Sequence, residues 1–157
     1  MIKVQVIHSA DPTVDQLEQF KQYASVPTDQ RDALLQGCLK RAMLEVQAFA
    51  NVGLLPSTIR VDVSDARRGE PVKLYQGGTK VLSLTDQNGN AIRYRYGLDF
   101  VIPEADAEVL RLEYQNEVLP ATYERFRPVL WEYATALYDG ADAADLAKIL
   151  KQTYGSC

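Results

Sequence analysis

The sequence contains few of the residues from which catalytic and metal sites are usually built. Its 157 residues include one histidine, His8, and two cysteines, Cys38 and Cys157. Two cysteines cannot supply a disulfide framework or a zinc knuckle, and a serine triad or a Cys–His dyad would depend on one imidazole ring. We therefore interpret Cys38 as a small core residue and His8 as a surface residue, and we expect no catalytic residue, no cofactor and no metal.

Long apolar runs are also missing. No segment approaches the roughly 18 apolar residues that span a bilayer, and the N-terminal residues alternate in polarity where a signal peptide would be uniformly apolar. The chain is 46% hydrophobic and 24% charged, which is typical of a globular protein. The net charge of −4 argues against affinity gained by neutralising DNA phosphates. We expect a protein that folds in a reducing cytosol, without a membrane partner.

Apolar residues recur at helical spacing in four segments. The first predicted helix covers 12–23, begins at Asp11 and Pro12, and has a narrow apolar stripe. The others run from Thr28 to about Asn51, from Pro120 to Leu137 and over about 142–153. Pro128 predicts a kink or a late start near Arg127 in the third helix. The stripe of the first helix consists of Val14, Leu17 and Phe20.

The second helix has the widest apolar face and should be the core element. Its predicted buried face consists of Leu35, Leu39, Ala42, Val46 and Phe49, widened by Leu34, Cys38 and Met43. We expect it to pack against the third helix through Phe126, Leu130, Tyr133 and Leu137.

Period-two alternation predicts strands between these helical pairs and at the N-terminus. The predicted strands are 2–7, 58–63, 72–75, 81–84, 92–96 and 109–114. Asn88-Gly89 predicts a tight hairpin turn, so the Val81 and Tyr94 segments should pair antiparallel. The sequence thus predicts an α+β fold, mainly α: an irregular four-helix bundle with an antiparallel β-hairpin block, about 56–115, inserted between helices two and three. We expect residues 1–157 to form a single domain.

In the order of its elements and in their sequence patterns, the chain resembles the head-tail connector (adaptor) proteins of long-tailed bacteriophages. The similar segments are Val14-Asp15-Gln16-Leu17-Glu18-Gln19-Phe20-Lys21, the helix from Asp32 to Ala42, Tyr96-Gly97-Leu98-Asp99, the strand Leu110–Tyr114, and the helix from Leu119-Pro120 to Leu137-Tyr138. The resemblance covers roughly residues 13–153.

The resemblance implies a structural virion protein made in the bacterial host cytoplasm from a phage or prophage genome. Such proteins form a ring of about twelve copies in the neck, where a ring requires two different patches on each copy. The implied partners are the portal protein and a tail-completion or stopper protein, with DNA passing through the channel without specific binding.

Two sets of residues are candidates for these interfaces. The tyrosines of the β block, Tyr75, Tyr94 and Tyr96, suit an interface because each buries a large area at low entropic cost. The last helix carries a short apolar stripe of Leu146, Ile149 and Leu150 and needs a partner. We interpret 142–157 as a docking element whose deletion leaves the core folded.

Two alternatives stay open at this point. In the first, the chain is a different oligomeric assembly module, such as a tail-completion protein. In the second, it is a small-ligand-binding or enzymatic α+β domain whose polar groups converge only in three dimensions. An apolar pocket holding a carboxylate with a perturbed pKa would favour the enzyme.

Overall fold

A computed structural model describes residues 1–26 and 29–155. Backbone contacts divide the chain into two compact units. The sheet unit comprises Met1–Ser9 and Pro56–Glu117, and the helical unit comprises the described residues within Ala10–Leu55 and Val118–Cys157. The predicted helix start at Thr28, together with Ser156 and Cys157, lies outside the described residues.

Four α-helices are found among the described residues of the helical unit. They are α1 Val14–Ala24, α2 Asp32–Ala50, α3 Pro120–Tyr138 and α4 Ala143–Gly155, and a 3-10 turn at Asp29–Arg31 precedes α2. All four contribute side chains to one apolar core. Within the described part of the chain, no helix is both long and apolar enough to cross a membrane.

Helix α1 begins two residues later than predicted because Thr13, and not Asp11, is its N-cap. The Thr13 hydroxyl accepts from the Gln16 amide at 3.1 Å, and the Gln16 side chain accepts from the Thr13 amide at 2.9 Å. This reciprocal pair satisfies two amides that the helix itself cannot. Asp11 instead pairs with Lys40 at 2.8 Å. Phe20 is buried as predicted, whereas Val14 is 77% exposed, so its place in the stripe was wrong.

Helix α2 buries most of its predicted face. Leu35, Leu39, Ala42, Met43 and Val46 are completely buried. Leu34 and Phe49, however, are 55% and 37% exposed, so both were wrongly placed in the core. In the last turn the buried residue is Gln47, whose Oε1 accepts from the amides of Leu54 and Leu55 at 2.9 and 3.0 Å. Those amides need a partner where the chain leaves the helix, which explains why a polar residue faces inward there.

Helix α3 runs without a break from Pro120 through Pro128 to Tyr138, so the alternative of a late start near Arg127 was wrong. Phe126, Leu130 and Tyr133 are buried and Leu137 is half-buried, and α3 makes the most extensive helix–helix contact with α2. The predicted pairing of these two helices is confirmed.

The sheet unit contains two antiparallel sheets. Its strands are β1 Ile2–Ser9, β2 Ser57–Ala66, β3 Val72–Lys73, β4 Gly78–Thr85, β5 Tyr94–Tyr96, β6 Phe100–Pro103 and β7 Ala107–Asn116. The four-stranded sheet has the order β1-β2-β7-β4, and the three-stranded sheet has the order β3-β6-β5. The short strand β6 was missed from sequence.

The Asn88-Gly89 turn is present, but the hairpin predicted from it is wrong. Gly89 has φ +80°, and the Ile92 amide donates to the Leu84 carbonyl at 2.8 Å, which closes the chain reversal. An isolated bridge between Thr85 and Ala91 joins the two sides of the turn. Strand β4, however, pairs with β7, and β5 pairs with β6. The chain therefore changes sheets directly after its turn.

The N-terminal strand belongs to the sheet unit. β1 pairs antiparallel with β2, and Val4 and Val6 pack on the sheet core, whereas Ile2 is 54% exposed. The β block thus includes residues outside the predicted 56–115 insertion.

The predicted α+β fold class is confirmed. The mainly-α description is not, because strands form a complete unit of their own.

Candidate assembly surfaces

His8 and Cys38, two reactive side chains singled out from sequence, belong to different units of the chain. His8 lies exposed on the edge strand β1. Burial raises the pKa of the half-buried Cys38 thiol, and the nearby Arg41 only partly opposes this, so the thiol stays protonated near neutral pH. Within the described ranges, no group of three or more His, Cys, Asp or Glu side chains could hold a metal ion.

The acidic residues near the end of the β block border an open depression of about 300 Å³. Its lining residues are Asp65, Ala66, Arg67, Gln87, Asp106, Ala107 and Glu108. Asp106 Oδ1 accepts from the Arg68 amide at 2.6 Å, and the Gln87 side chain accepts from the Glu108 amide at 3.2 Å. These two side-chain hydrogen bonds tie neighbouring segments of the chain together, so the groups serve local structure.

The β5–β6 hairpin carries two of the three predicted interface tyrosines. Tyr94 and Tyr96 stand two residues apart on β5, on one face, with ring centroids 5.4 Å apart in an edge-to-face arrangement. Their hydrogen bond is the main cause that raises the pKa of Tyr94, and burial adds to it. Tyr94 packs on the sheet core, whereas Tyr96 is 57% exposed.

The turn of this hairpin projects an apolar side chain. The Gly97 amide donates to the Phe100 carbonyl at 2.8 Å, and a Cβ at position 97 would overlap the Phe100 ring, so a larger residue there would displace that ring. Leu98, at its apex, is fully exposed, and Asp99 beside it is exposed too. We call Tyr96, Leu98 and Asp99 the hairpin tip. The sequence analysis predicted Tyr96 as an interface residue but did not single out Leu98.

Tyr75 is positioned by a buried tyrosine. Tyr114, completely buried on β7, accepts from the Tyr75 amide at 2.7 Å and donates to the Tyr75 carbonyl at 3.1 Å. Burial raises the pKa of the Tyr114 hydroxyl, which therefore stays protonated and able to donate. The Tyr75 side chain packs partly on the sheet core and has the Lys73 ammonium 5.7 Å from its ring centroid. Tyr75 is thus mainly a packing residue.

Replacing Tyr114 with phenylalanine should destabilise the protein by about 1–3 kcal/mol, because the Tyr75 amide loses its acceptor and the Tyr75 carbonyl keeps only the Gly78 amide as a donor. Chemical denaturation monitored by circular dichroism measures this change. Tyr138→Phe is the matched control, since the Tyr138 hydroxyl accepts from Arg31 at an exposed site, 2.7 Å away. A Tyr114→Phe loss no larger than that of the control would contradict this role.

The apolar stripe of α4 already has a partner within the helical unit. Leu146 and Ile149 are 7% and 9% exposed in the helical core, and Leu150 is half-buried against it. Asp142 caps the helix, because its Oδ1 accepts from the Asp145 amide at 2.9 Å. Leu146 and Ile149 therefore stabilise this chain, and docking through the half-buried Leu150 stays a prediction.

The outer face of α2 bears a shallow groove of about 410 Å³ on the side away from the core. Its lining residues are Gly37, Lys40, Arg41, Leu44, Glu45 and Ala48. They recur at three- and four-residue steps, which places them on one helical face. Leu34 lies one turn before Gly37 on the same face. This face, the α2 groove, therefore combines small and apolar residues with two cations and the carboxylate of Glu45.

A third surface was missed from sequence. The Trp131 ring on α3 lies 5.4 Å from the Tyr23 ring on α1, and the Arg127 guanidinium stands 5.0 Å from the Trp131 centroid. Tyr23 is 50% exposed. Tryptophan, tyrosine and arginine are the residues most often found at binding hot spots. The Arg127–Trp131 spacing of four residues was the available signal, but nothing in the sequence indicates that Tyr23 joins them.

Comparison with known proteins adds evidence at the level of structure. No protein-family model matches the sequence, and no curated protein matches it. Several solved structures do match. One, from the neck of an empty GTA particle computed with C6 symmetry, has a TM-score of 0.62 and 16% identity and covers 87% of this chain and 84% of that chain.

Two further matches come from the same kind of particle. A chain of the virion of a native gene transfer agent (GTA) particle has a TM-score of 0.60 and 15% identity, covering 95% of this chain and 93% of its own. A chain of the native GTA neck computed with C12 symmetry has a TM-score of 0.57 and 14% identity, covering 93% and 94%. The chain thus has a fold found in particle necks, and the resemblance to head-tail connectors is confirmed at the level of fold.

Proposed function

We propose that this protein is a structural head-tail connector of a phage-like virion neck. Its copies form a ring between the portal and the tail, and the ring continues the DNA channel. The observation that carries the proposal is the fold, which matches particle neck and virion chains over 84% to 94% of their length. A ring of about twelve copies fits a neck computed with C12 symmetry, and it requires two different patches on each copy.

In this proposal the chain acts through its surfaces and is not an enzyme. Residues 1–157 act as one connector domain, and the four helices form an irregular bundle. The portal protein contacts the ring on one side, and a tail-completion or stopper protein contacts it on the other. A net charge of −4 lets DNA pass without specific binding. The protein is made in the bacterial host cytoplasm and ends in the virion neck.

Electron microscopy and analytical ultracentrifugation of the purified protein test the proposal. Self-association into closed rings at rising concentration, or on addition of portal protein, is the expected result. Retention on immobilised DNA at physiological salt should be absent. A protein that stays monomeric at high concentration and binds no portal would overturn the proposal.

The competing assembly role, that of a tail-completion protein, predicts a different partner. Such a protein would bind isolated tails in the absence of portal, whereas a connector binds isolated portal in the absence of tails. Parallel pull-downs with the two purified assemblies separate these functions. We expect the portal to be retained and isolated tails to pass through.

A further inference from the structure

The hairpin tip presents an exposed apolar side chain, Leu98, on a hydrogen-bonded turn. Backbone hydrogen bonds hold both sides of it: the Gly97 amide donates to the Phe100 carbonyl, and the Leu74 amide donates to the Asp99 carbonyl, each at 2.8 Å. Leu98 is nevertheless fully exposed, so a well-ordered turn presents an apolar side chain to water. An anchor that is already ordered loses little entropy on binding, and this arrangement therefore suits an interface.

The α2 groove has the size and lining to receive such an anchor. Gly37 leaves one end open, and no atom lies within 4 Å of where its Cβ would stand. A glycine in mid-helix costs about 1 kcal/mol relative to alanine. Packing within this chain does not require it. Leu44 and Ala48 provide an apolar floor, while the exposed Leu34 extends the apolar face by one turn.

The tip carries one carboxylate, and the groove carries two cations and one carboxylate, Glu45. Asp99 stands next to Leu98 at the tip and is exposed, and Arg41 borders the groove. Among the described residues, neither the Asp99 nor the Arg41 side chain forms an ion pair. Lys40, the other cation of the groove, is held by Asp11 at 2.8 Å. Arg41 is thus the cation available to an incoming carboxylate.

From these observations we infer that Leu98 of one copy docks in the α2 groove of the next copy, over Gly37, Leu44 and Ala48, while Asp99 pairs with Arg41. The tip and the groove are different patches of one chain, so the contact is heterologous and repeats from copy to copy. The inference rests on the proposed ring and specifies one of its interfaces.

Disulfide trapping tests this contact directly. In a Cys38→Ala, Cys157→Ala background, the full chain carrying Leu98→Cys and Ala48→Cys should give a ladder of covalent oligomers after oxidation under ring-forming conditions. Leu82→Cys with Ala48→Cys is the matched control, because Leu82 is a 48% exposed leucine of β4 outside the tip. The control pair should give no ladder. A ladder from both pairs, or from neither, would contradict the assigned contact.

Charge reversal supplies an independent test. Asp99→Arg and Arg41→Asp should each weaken self-association at least about tenfold, and the double variant should restore it, because like charges at an interface repel. If the wild-type protein forms rings but the reversals have no effect and no ladder forms, the tip–groove contact is wrong and the connector function stands. If the wild-type protein forms no rings and binds no portal, both are overturned.

Discussion

Deletion of residues 143–157 is expected to destabilise the helical unit severely. The deletion removes Leu146 and Ile149 from the core, and burying each such side chain stabilises the fold by about 1.5–3 kcal/mol. It also uncovers the apolar surfaces of α2 and α3 that α4 contacts. Thermal unfolding followed by circular dichroism should show a large fall in midpoint or no cooperative transition. This reverses the expectation that the segment is a dispensable docking element.

Point substitutions within α4 separate packing from any role in docking. The pair Leu146→Ala and Ile149→Ala should cost about 2 kcal/mol or more for each residue. Lys148→Ala and Lys151→Ala are the controls, since both lysines are exposed on the opposite side of the helix, and each should change stability by about 0.5 kcal/mol or less. A truncated protein that unfolds at the wild-type midpoint would mean that α4 adds nothing to the core.

Leu39→Ala is expected to cost about 2–5 kcal/mol in the free energy of unfolding. Leu39 lies in the middle of α2 and is completely buried between elements of the helical core, so truncation leaves a cavity that rigid neighbours cannot close. Urea denaturation with an unchanged dependence on urea concentration would show that stability alone has changed.

Leu34→Ala provides the matched control on the same helix. Leu34 is 55% exposed on the opposite side, and its truncation should cost under about 0.5 kcal/mol. Equal losses of stability for the two leucines would mean that the buried face of α2 has been assigned incorrectly.

The Leu34→Ala variant also has a second use, because Leu34 borders the α2 groove. Removing this side chain should weaken self-association while stability is retained.

The sequence predicted those elements whose pattern depends on local periodicity. The spacing of Leu35, Leu39 and Val46 identified the buried side of α2, and the alternation of polar and apolar residues identified β7, in which Leu110 and Leu112 are completely buried. Strand pairing could not be obtained in this way. Asn88-Gly89 specifies a reversal of the chain, but the partner of β4 is set by packing of the whole sheet, so β7 replaced the expected strand.

The assembly surfaces were less predictable because exposure depends on neighbours that are distant in sequence. Leu146 and Leu98 are both leucines near polar residues, yet one is buried by α2 and α3 and the other is fully exposed. Gln47 occupies a core position because its side chain accepts from two amides of the segment that follows α2. The need of these amides for an acceptor arises only in the folded backbone, so it produces no periodic pattern in the sequence.

The pairing of β1 with β2 makes the sheet unit discontinuous along the chain, since Ile2 pairs with Val63 and the intervening residues build two helices of the other unit. During synthesis the first strand emerges long before its partner and has no sheet to join. Non-local pairings of this kind must close a long loop before any contact compensates for the lost entropy, which slows folding. The N-terminal strand should therefore be among the last elements to gain protection from hydrogen exchange as the newly made protein folds.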